Sequence, residues 1–213
     1  LRVAFLAASM AVCLGTVAAF VMTRFGKFRG KTALSSMVTA PLVMPEVITG
    51  LSLLLLFVQM AQLIGWPADR GMATIWIAHT TFCSAYVAVV VAARLREIDR
   101  SIEEAAMDLG SPPMKTFFMV TLPVISPALA AGWLLAFTLS LDDLVIASFV
   151  SGPGANTLPM VVFSSVRMGV SPKINALATL IILVVSVATL IAWFVMHRKE
   201  KKRRLVLQEA EGQ

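Results

Sequence analysis

Charge is scarce in this chain of 213 residues: only 14% of them are Asp, Glu, Lys or Arg, whereas soluble domains carry about a quarter. The scarcity excludes an ordinary soluble enzyme. Hydrophobic residues make up 58% of the chain, and the mean hydropathy is +0.85. They form runs of roughly 20 residues, which is long enough for a helix to cross a bilayer. The sequence therefore predicts an all-α, multi-pass membrane protein.

Residues that carry chemistry are also few. The two cysteines, Cys13 and Cys83, lie in apolar runs without disulfide or metal-site spacing, and we interpret them as small core residues. No G-x-x-x-x-G-K-[ST] motif accompanies the glycine-rich segment 151–154, which argues against a phosphate cradle. The isolated His79 and His197 offer no Ser/His/Asp or metal constellation. We expect no enzymatic activity, cofactor, metal or nucleic-acid surface on this chain, despite its net charge of +6.

Basic residues orient the predicted membrane spans. Most of the 18 basic residues fall in segments 24–31, 94–115 and 198–204, which the positive-inside rule assigns to the cytoplasm. The first span then starts outside, so we expect an earlier span in the intact protein, six in all, and a cytoplasmic C-terminus. We predict a permease domain over 1–197 and a basic cytoplasmic tail over 198–213. The five spans of this chain are predicted at 3–23, 37–64, 72–93, 124–150 and 174–196.

The cytoplasmic segment 94–123 predicts a short helix between spans three and four. Ser101 and Glu104 fit a capping box at its start, and Gly110 followed by two prolines supplies its end. Such a helix either lies on the membrane surface or docks in a groove of another protein. Its acidic residues argue against anionic lipid. Its small apolar stripe consists of Ile102, Ala105, Ala106 and Leu109.

This segment resembles the EAA signature of ABC-importer permeases, E-A-A-x3-G-x9-I-x-L-P, with Val120 at the usual isoleucine. The resemblance implies the type I importer transmembrane fold in a prokaryotic inner membrane. It further implies that Ile102 to Leu109 form a coupling helix, seated in a cleft of a separate ATPase, and that Gly110 turns the chain where a side chain would collide. The residues implied in ATPase coupling are Ile102, Glu104, Ala105, Ala106, Leu109, Gly110, Leu122 and Pro123.

The resemblance also implies partners. They are a second homologous permease chain in a heterodimer, two ATPase subunits that bind ATP and Mg²⁺, a periplasmic substrate-binding protein, and the surrounding membrane lipid.

Three acids interrupt apolar spans: Glu46, Asp142 and Asp143. Each costs roughly 2.5 to 3.5 kcal/mol at the bilayer centre, so we expect them to face a cavity or a partner. Pro41 and Pro45 before Glu46, and Gly50 after it, predict a helix that is broken where the acid enters. The sequence leaves open whether Glu46 lines a substrate pathway or bonds a neighbouring helix, and whether the aspartates line a cavity or cap a helix. Tyr86 is a further pathway candidate.

Segments 41–46 and 140–159 resemble the polyamine branch, the spermidine and putrescine permeases. That resemblance implies an importer for a flexible dication, which suits fixed carboxylates in a low dielectric. Two alternatives stay open: an ABC permease for another substrate, and an ion-coupled secondary transporter that uses the three acids as relay groups.

Overall fold

The computed structural model describes residues 1–167, 169, 172, 175–187, 190, 193 and 194, and the regular structure in this part is entirely helical. The chain divides into two compact units, Leu1–Val161 and Val162–Gln213. The helices are α1 (Arg2–Arg24), α2 (Lys31–Val43), α3 (Glu46–Ile64), α4 (Met72–Glu97), α5 (Ser101–Asp108), α6 (Pro113–Thr116), a π-helical segment (Phe117–Thr121), α7 (Leu122–Asp142), α8 (Val145–Val150), α9 (Leu158–Arg167) and α10 (Asn175–Val187).

The predicted all-α membrane architecture is confirmed. Among the described residues, four helical stretches are long and apolar enough to cross a bilayer: Arg2–Arg24, Glu46–Ile64, Met72–Glu97 and Pro113–Asp142. Of the fifth predicted span, 174–196, the structure describes the apolar helix α10 and a few residues beyond it. The rest of that span and the predicted tail 198–213 lie outside the described residues.

Small residues bring α1, α4 and α7 into close contact. A Cβ added to Gly15 of α1 would lie 2.8 Å from the Cβ of Val87 in α4, and one added to Gly132 of α7 would lie 3.4 Å from a methyl group of the same valine. Close backbone approach through small residues is a main source of helix association in lipid. Cys83 belongs to this core, and its thiol donates to the Ala136 carbonyl at 3.4 Å, whereas Cys13 is exposed, so its core prediction is wrong.

The second predicted span is divided into α2 and α3. The break falls at Met44, whose ψ of 137° is extended, because a residue before proline is pushed out of the helical region. The helix that is long enough to span the membrane therefore begins at Glu46 and not at residue 37. It packs through Gly50, where an added Cβ would lie 3.3 Å from the Ile146 Cα atom of α8.

The fourth predicted span, 124–150, is also shifted. Its helix starts at Pro113, since proline fits the first position of a helix, and it ends at Asp142, with α8 separate. Near its start, the Leu122 N–H donates to the Phe117 carbonyl, five residues back. This π-helical turn accommodates Pro123, which has no N–H to donate and whose ring would clash with a regular helix.

Candidate functional site

Helix α5 lies in the predicted coupling segment and is preceded by an aspartate, Asp99. The Asp99 Oδ1 atom accepts a hydrogen bond of 3.0 Å from the Ser101 N–H. The predicted Ser101–Glu104 capping box is wrong, because Ser101 is already the first helical residue and the cap at this helix start is the Asp99 carboxylate rather than the Ser101 hydroxyl. Hydrogen bonds from the backbone and side chain of Ser101 lower the pKa of Asp99 below its ordinary value.

The end of α5 is a Schellman motif. The Ser111 N–H donates to the Ala106 carbonyl at 3.1 Å, the Gly110 N–H donates to the Met107 carbonyl at 2.9 Å, and Gly110 has φ of +87°. An added Cβ at Gly110 would meet no described atom of this chain within 4 Å. Within this chain, then, the backbone conformation requires the glycine, and a collision of a side chain here with an ATPase subunit stays a prediction.

The outward side of α5 is exposed and combines apolar side chains with Glu104. Ile102 is 47% exposed and Leu109 is 90% exposed. Ala105 and Glu104 are exposed beside them, while Ala106 is half-buried. The predicted coupling residues of this helix are therefore exposed except for Ala106, and their contact with an ATPase stays a prediction. Leu122 and Pro123 lie after the π-helical turn, where Leu122 packs against the core and Pro123 is exposed.

The inward side of α5 carries Glu103, which the sequence analysis did not select. Its Oε2 atom lies 2.9 Å from the Arg24 Nε atom, and its Oε1 atom accepts a 2.9 Å hydrogen bond from the Thr121 hydroxyl. Arg100 donates to the Thr23 and Arg24 carbonyls at the end of α1, both at 2.9 Å. In the sequence these arginines indicate only the orientation of the spans. Arg24 and Glu103 are 79 residues apart, so nothing local predicts their contact.

The break between α7 and α8 is built around Asp143, which is 8% exposed. Its Oδ1 atom accepts from the Ile146 N–H at 3.2 Å and its Oδ2 atom accepts from the Ala147 N–H at 2.7 Å. Asp143 is therefore an N-terminal cap of α8. This is one of the two roles left open by the sequence, and a pathway role for Asp143 stays a prediction.

His79 joins this break to α4. Its Nδ1 atom lies 2.7 Å from the Ser140 hydroxyl, and its Nε2 atom lies 3.1 Å from the Asp143 Oδ2 atom, outside the angle of a hydrogen bond. The structure thus assembles the Ser/His/Asp group that the sequence analysis excluded. All three side chains are buried in the helix packing, so the group joins three helices and presents no hydroxyl to a substrate.

The other pathway candidates lie on three helices. Glu46 is the first residue of α3 and Asp142 is the last residue of α7, and both are exposed. Tyr86 is partly buried on α4, where its ring packs edge-on against Phe82 with 5.1 Å between the ring centroids. Pathway roles for these three residues stay predictions.

A helical membrane bundle that carries a short amphipathic helix on a connection between two spans, with acids at helix breaks, is typical of a membrane transport subunit. The chain belongs to the family of binding-protein-dependent transport system inner membrane components, which matches residues 11–205.

Individual relatives of the chain within this family are polyamine permeases. The chain is 69% identical over 210 residues to the putrescine transport system permease protein PotI of Escherichia coli (strain K12), covering 99% of this chain and 75% of that protein. It is 40% identical over 202 residues to the spermidine/putrescine transport system permease protein PotC of the same organism, covering 95% and 74%. A crystal structure of an amino acid ABC transporter with histidines shares the fold, with a TM-score of 0.58, 21% identity and coverage of 91% and 87%.

These comparisons confirm the resemblance to ABC-importer permeases and to their polyamine branch. The chain is a transport subunit of a bacterial inner membrane and not a catalytic enzyme. Membership of a binding-protein-dependent family also implies a substrate-binding protein and an ATPase as partners.

Proposed function

We propose that this chain forms one half of the translocation pathway of an ATP-driven putrescine importer. It pairs with a second, homologous permease chain, and two ATPase subunits bind ATP and Mg²⁺ on the cytoplasmic side. A periplasmic binding protein delivers the substrate. The similarity to a putrescine permease over 99% of the chain supports the choice of substrate.

The observation that carries the proposal is the position of Asp142. It is exposed and is the last residue of α7, where the carbonyl ends of the helix concentrate a partial negative charge of roughly one half. A carboxylate at this end of a helix is electrostatically unfavourable, and more so in a membrane, unless a cation is present. An ammonium group of the substrate supplies that cation.

A dication needs a second negative position. Glu46 is exposed at the start of α3, directly after Pro45, where the chain is broken between α2 and α3. Broken helices near the bilayer interior are typical of substrate sites in transporters. We assign Asp143 a structural role in place of substrate binding, because both of its carboxylate oxygens accept hydrogen bonds from backbone N–H groups of α8.

The test compares Asp142→Asn with Asp69→Asn, an exposed acid in the loop between α3 and α4. Loss of one charge-assisted hydrogen bond to the substrate corresponds to about a tenfold or larger rise in the KM for putrescine uptake. We expect that rise in Asp142→Asn and none in Asp69→Asn, at equal abundance of the complex. Unchanged uptake in Asp142→Asn contradicts the proposed substrate site.

The energy source has its own test. An ATP-driven importer is inhibited by vanadate in proteoliposomes that hold ATP, whereas uptake persists with a protonophore. The reverse pattern contradicts ATP-driven import and supports an ion-coupled transporter.

A further inference from the structure

The coupling helix is attached to two other helices through one carboxylate. We propose that Glu103 and Arg24 are positioning residues that transmit movement of α5 to α1 and α7. The inference rests on the proposed function, because it assumes that an ATPase moves α5. It assigns to the inward side of α5 a task separate from docking.

The first link joins α5 to α1. Arg24 is the last residue of α1, and its Nε atom lies 2.9 Å from the Glu103 Oε2 atom and donates to the Oε1 atom at 3.1 Å. The two side chains are only 9% and 12% exposed. Exclusion of water strengthens such a pair, and it also makes the loss of either partner costly.

The second link joins α5 to α7. The Thr121 hydroxyl donates to the Glu103 Oε1 atom at 2.9 Å, and Thr121 is 2% exposed at the end of the π-helical segment that leads into α7. Glu103 therefore accepts hydrogen bonds from two helices that cross the membrane.

The third link runs in the reverse direction. Arg100, just before α5, donates to the carbonyls of Thr23 and Arg24 at 2.9 Å, and Arg24 donates to the Ile98 carbonyl at 3.4 Å. The start of α5 and the end of α1 are thus joined by hydrogen bonds in which each segment contributes an arginine side chain. A displacement of α5 then displaces α1.

The two sides of α5 differ in a way that fits this division of tasks. The outward side carries the exposed Ile102 and Leu109, whereas the inward side carries the partly buried Glu103. A force applied to the outward side reaches the spans through Glu103. Substitutions along such a route between two sites change the energetic coupling of those sites by a factor of about two to thirty.

The experiment uses the assembled transporter in proteoliposomes, with the partner permease, the ATPase subunits and saturating binding protein. The readout is the stimulation of ATP hydrolysis by the binding protein outside, together with putrescine moved per ATP hydrolysed. Loss of folding alone lowers all activities together, whereas lost transmission lowers the stimulation and the ratio while basal hydrolysis stays. Stimulation also reports transmission whatever the substrate is.

We expect Glu103→Gln and Arg24→Gln to lower the stimulation about two- to thirtyfold, with the ATPase subunits still bound. The exchange of Arg24→Glu with Glu103→Arg should restore part of it. Thr121→Val, which keeps the ion pair and removes only the link to α7, should lower the stimulation too. Arg94 and Glu97 form an exposed ion pair of 2.9 Å on α4, and Arg94→Gln and Glu97→Gln serve as matched controls without effect.

Normal stimulation in both Glu103→Gln and Thr121→Val overturns the proposal. Release of the ATPase subunits by Glu103→Gln also overturns it, since Glu103 would then act in docking. Failure of the unsubstituted protein to move putrescine, with stimulation still lost in Glu103→Gln, would refute the proposed substrate and leave the transmission role standing.

Discussion

Asp142 and Asp143 are neighbours with the same side chain, and the structure predicts opposite results when each is replaced by asparagine. Asp143 uses both carboxylate oxygens, one for the Ile146 N–H and one for the Ala147 N–H. Asparagine has one carbonyl oxygen, so Asp143→Asn leaves one buried N–H of α8 facing an amide NH₂ group. A cap with a single hydrogen bond would accept asparagine about as well as aspartate, but this one cannot.

The cost follows from those two bonds. Loss of a hydrogen bond to a charged group costs about 1.5 to 3 kcal/mol, and a buried, unpaired N–H costs about 1 to 3 kcal/mol. Asp143→Asn should therefore lower the free energy of unfolding by about 2.5 to 6 kcal/mol. For a chain of this size each kcal/mol corresponds to about 2 to 4 °C, so Tm should fall by about 5 to 24 °C. Asp142→Asn, on an exposed side chain, should change stability by about 0.5 kcal/mol or less.

The assay is thermal unfolding of the detergent-purified complex, followed by gel filtration after stepwise heating. We expect Asp143→Asn to lose monodisperse protein at a clearly lower temperature, while Asp142→Asn matches the unsubstituted protein in stability and differs in uptake. Equal melting temperatures for the two variants would refute the two-oxygen cap as a stabilising contact.

Three further predictions concern the cytoplasmic side and the orientation. An impermeant thiol reagent should modify Asn156→Cys in intact cells and Lys27→Cys only in opened ones, in a background with Cys13 replaced; the reverse pattern would invert the topology. Glu104→Lys on the exposed side of α5 should release the ATPase subunits while membrane insertion stays normal, as measured by co-purification, and retained ATPase would contradict the docking surface. Because the pKa of Asp99 in the folded protein lies below its unfolded value of about 4, its cap on α5 is fully present above that pH and is lost only as pH falls below it. The difference in ATPase association between the unsubstituted protein and Asp99→Asn should therefore be the same at pH 6 and pH 8, and a difference that changes between these pH values would contradict this assignment.

The features that depend on local sequence were predictable. Apolar runs predicted the helical membrane architecture, and Pro45 predicted the break before Glu46, because proline acts on its immediate neighbour. The start of the fourth span at Pro113 was missed, since two prolines are as typical of a loop as of a helix start.

The features that depend on distant residues were not predictable. Glu103 and Arg24 are 79 residues apart, and nothing near either one indicates the other. Asp142 and Asp143 are indistinguishable by type and depth, and only the start of α8 determines which of them is buried as a cap. The sequence near His79 indicates no hydrogen-bond partner for it, because Ser140 lies 61 residues away.

The π-helical turn before Pro123 has a mechanical consequence. A π turn contains a surplus residue, and its conversion to a regular α-helix would slide α7 by about 1.5 Å and rotate it by about 100° relative to α6. Pro123 blocks that conversion, because an α-helical register would press its ring against the Met119 carbonyl. The π-helical junction between α6 and α7 therefore cannot take up a displacement by changing its helical register. A displacement of the cytoplasmic end therefore reaches the start of α7 without a change of helical register.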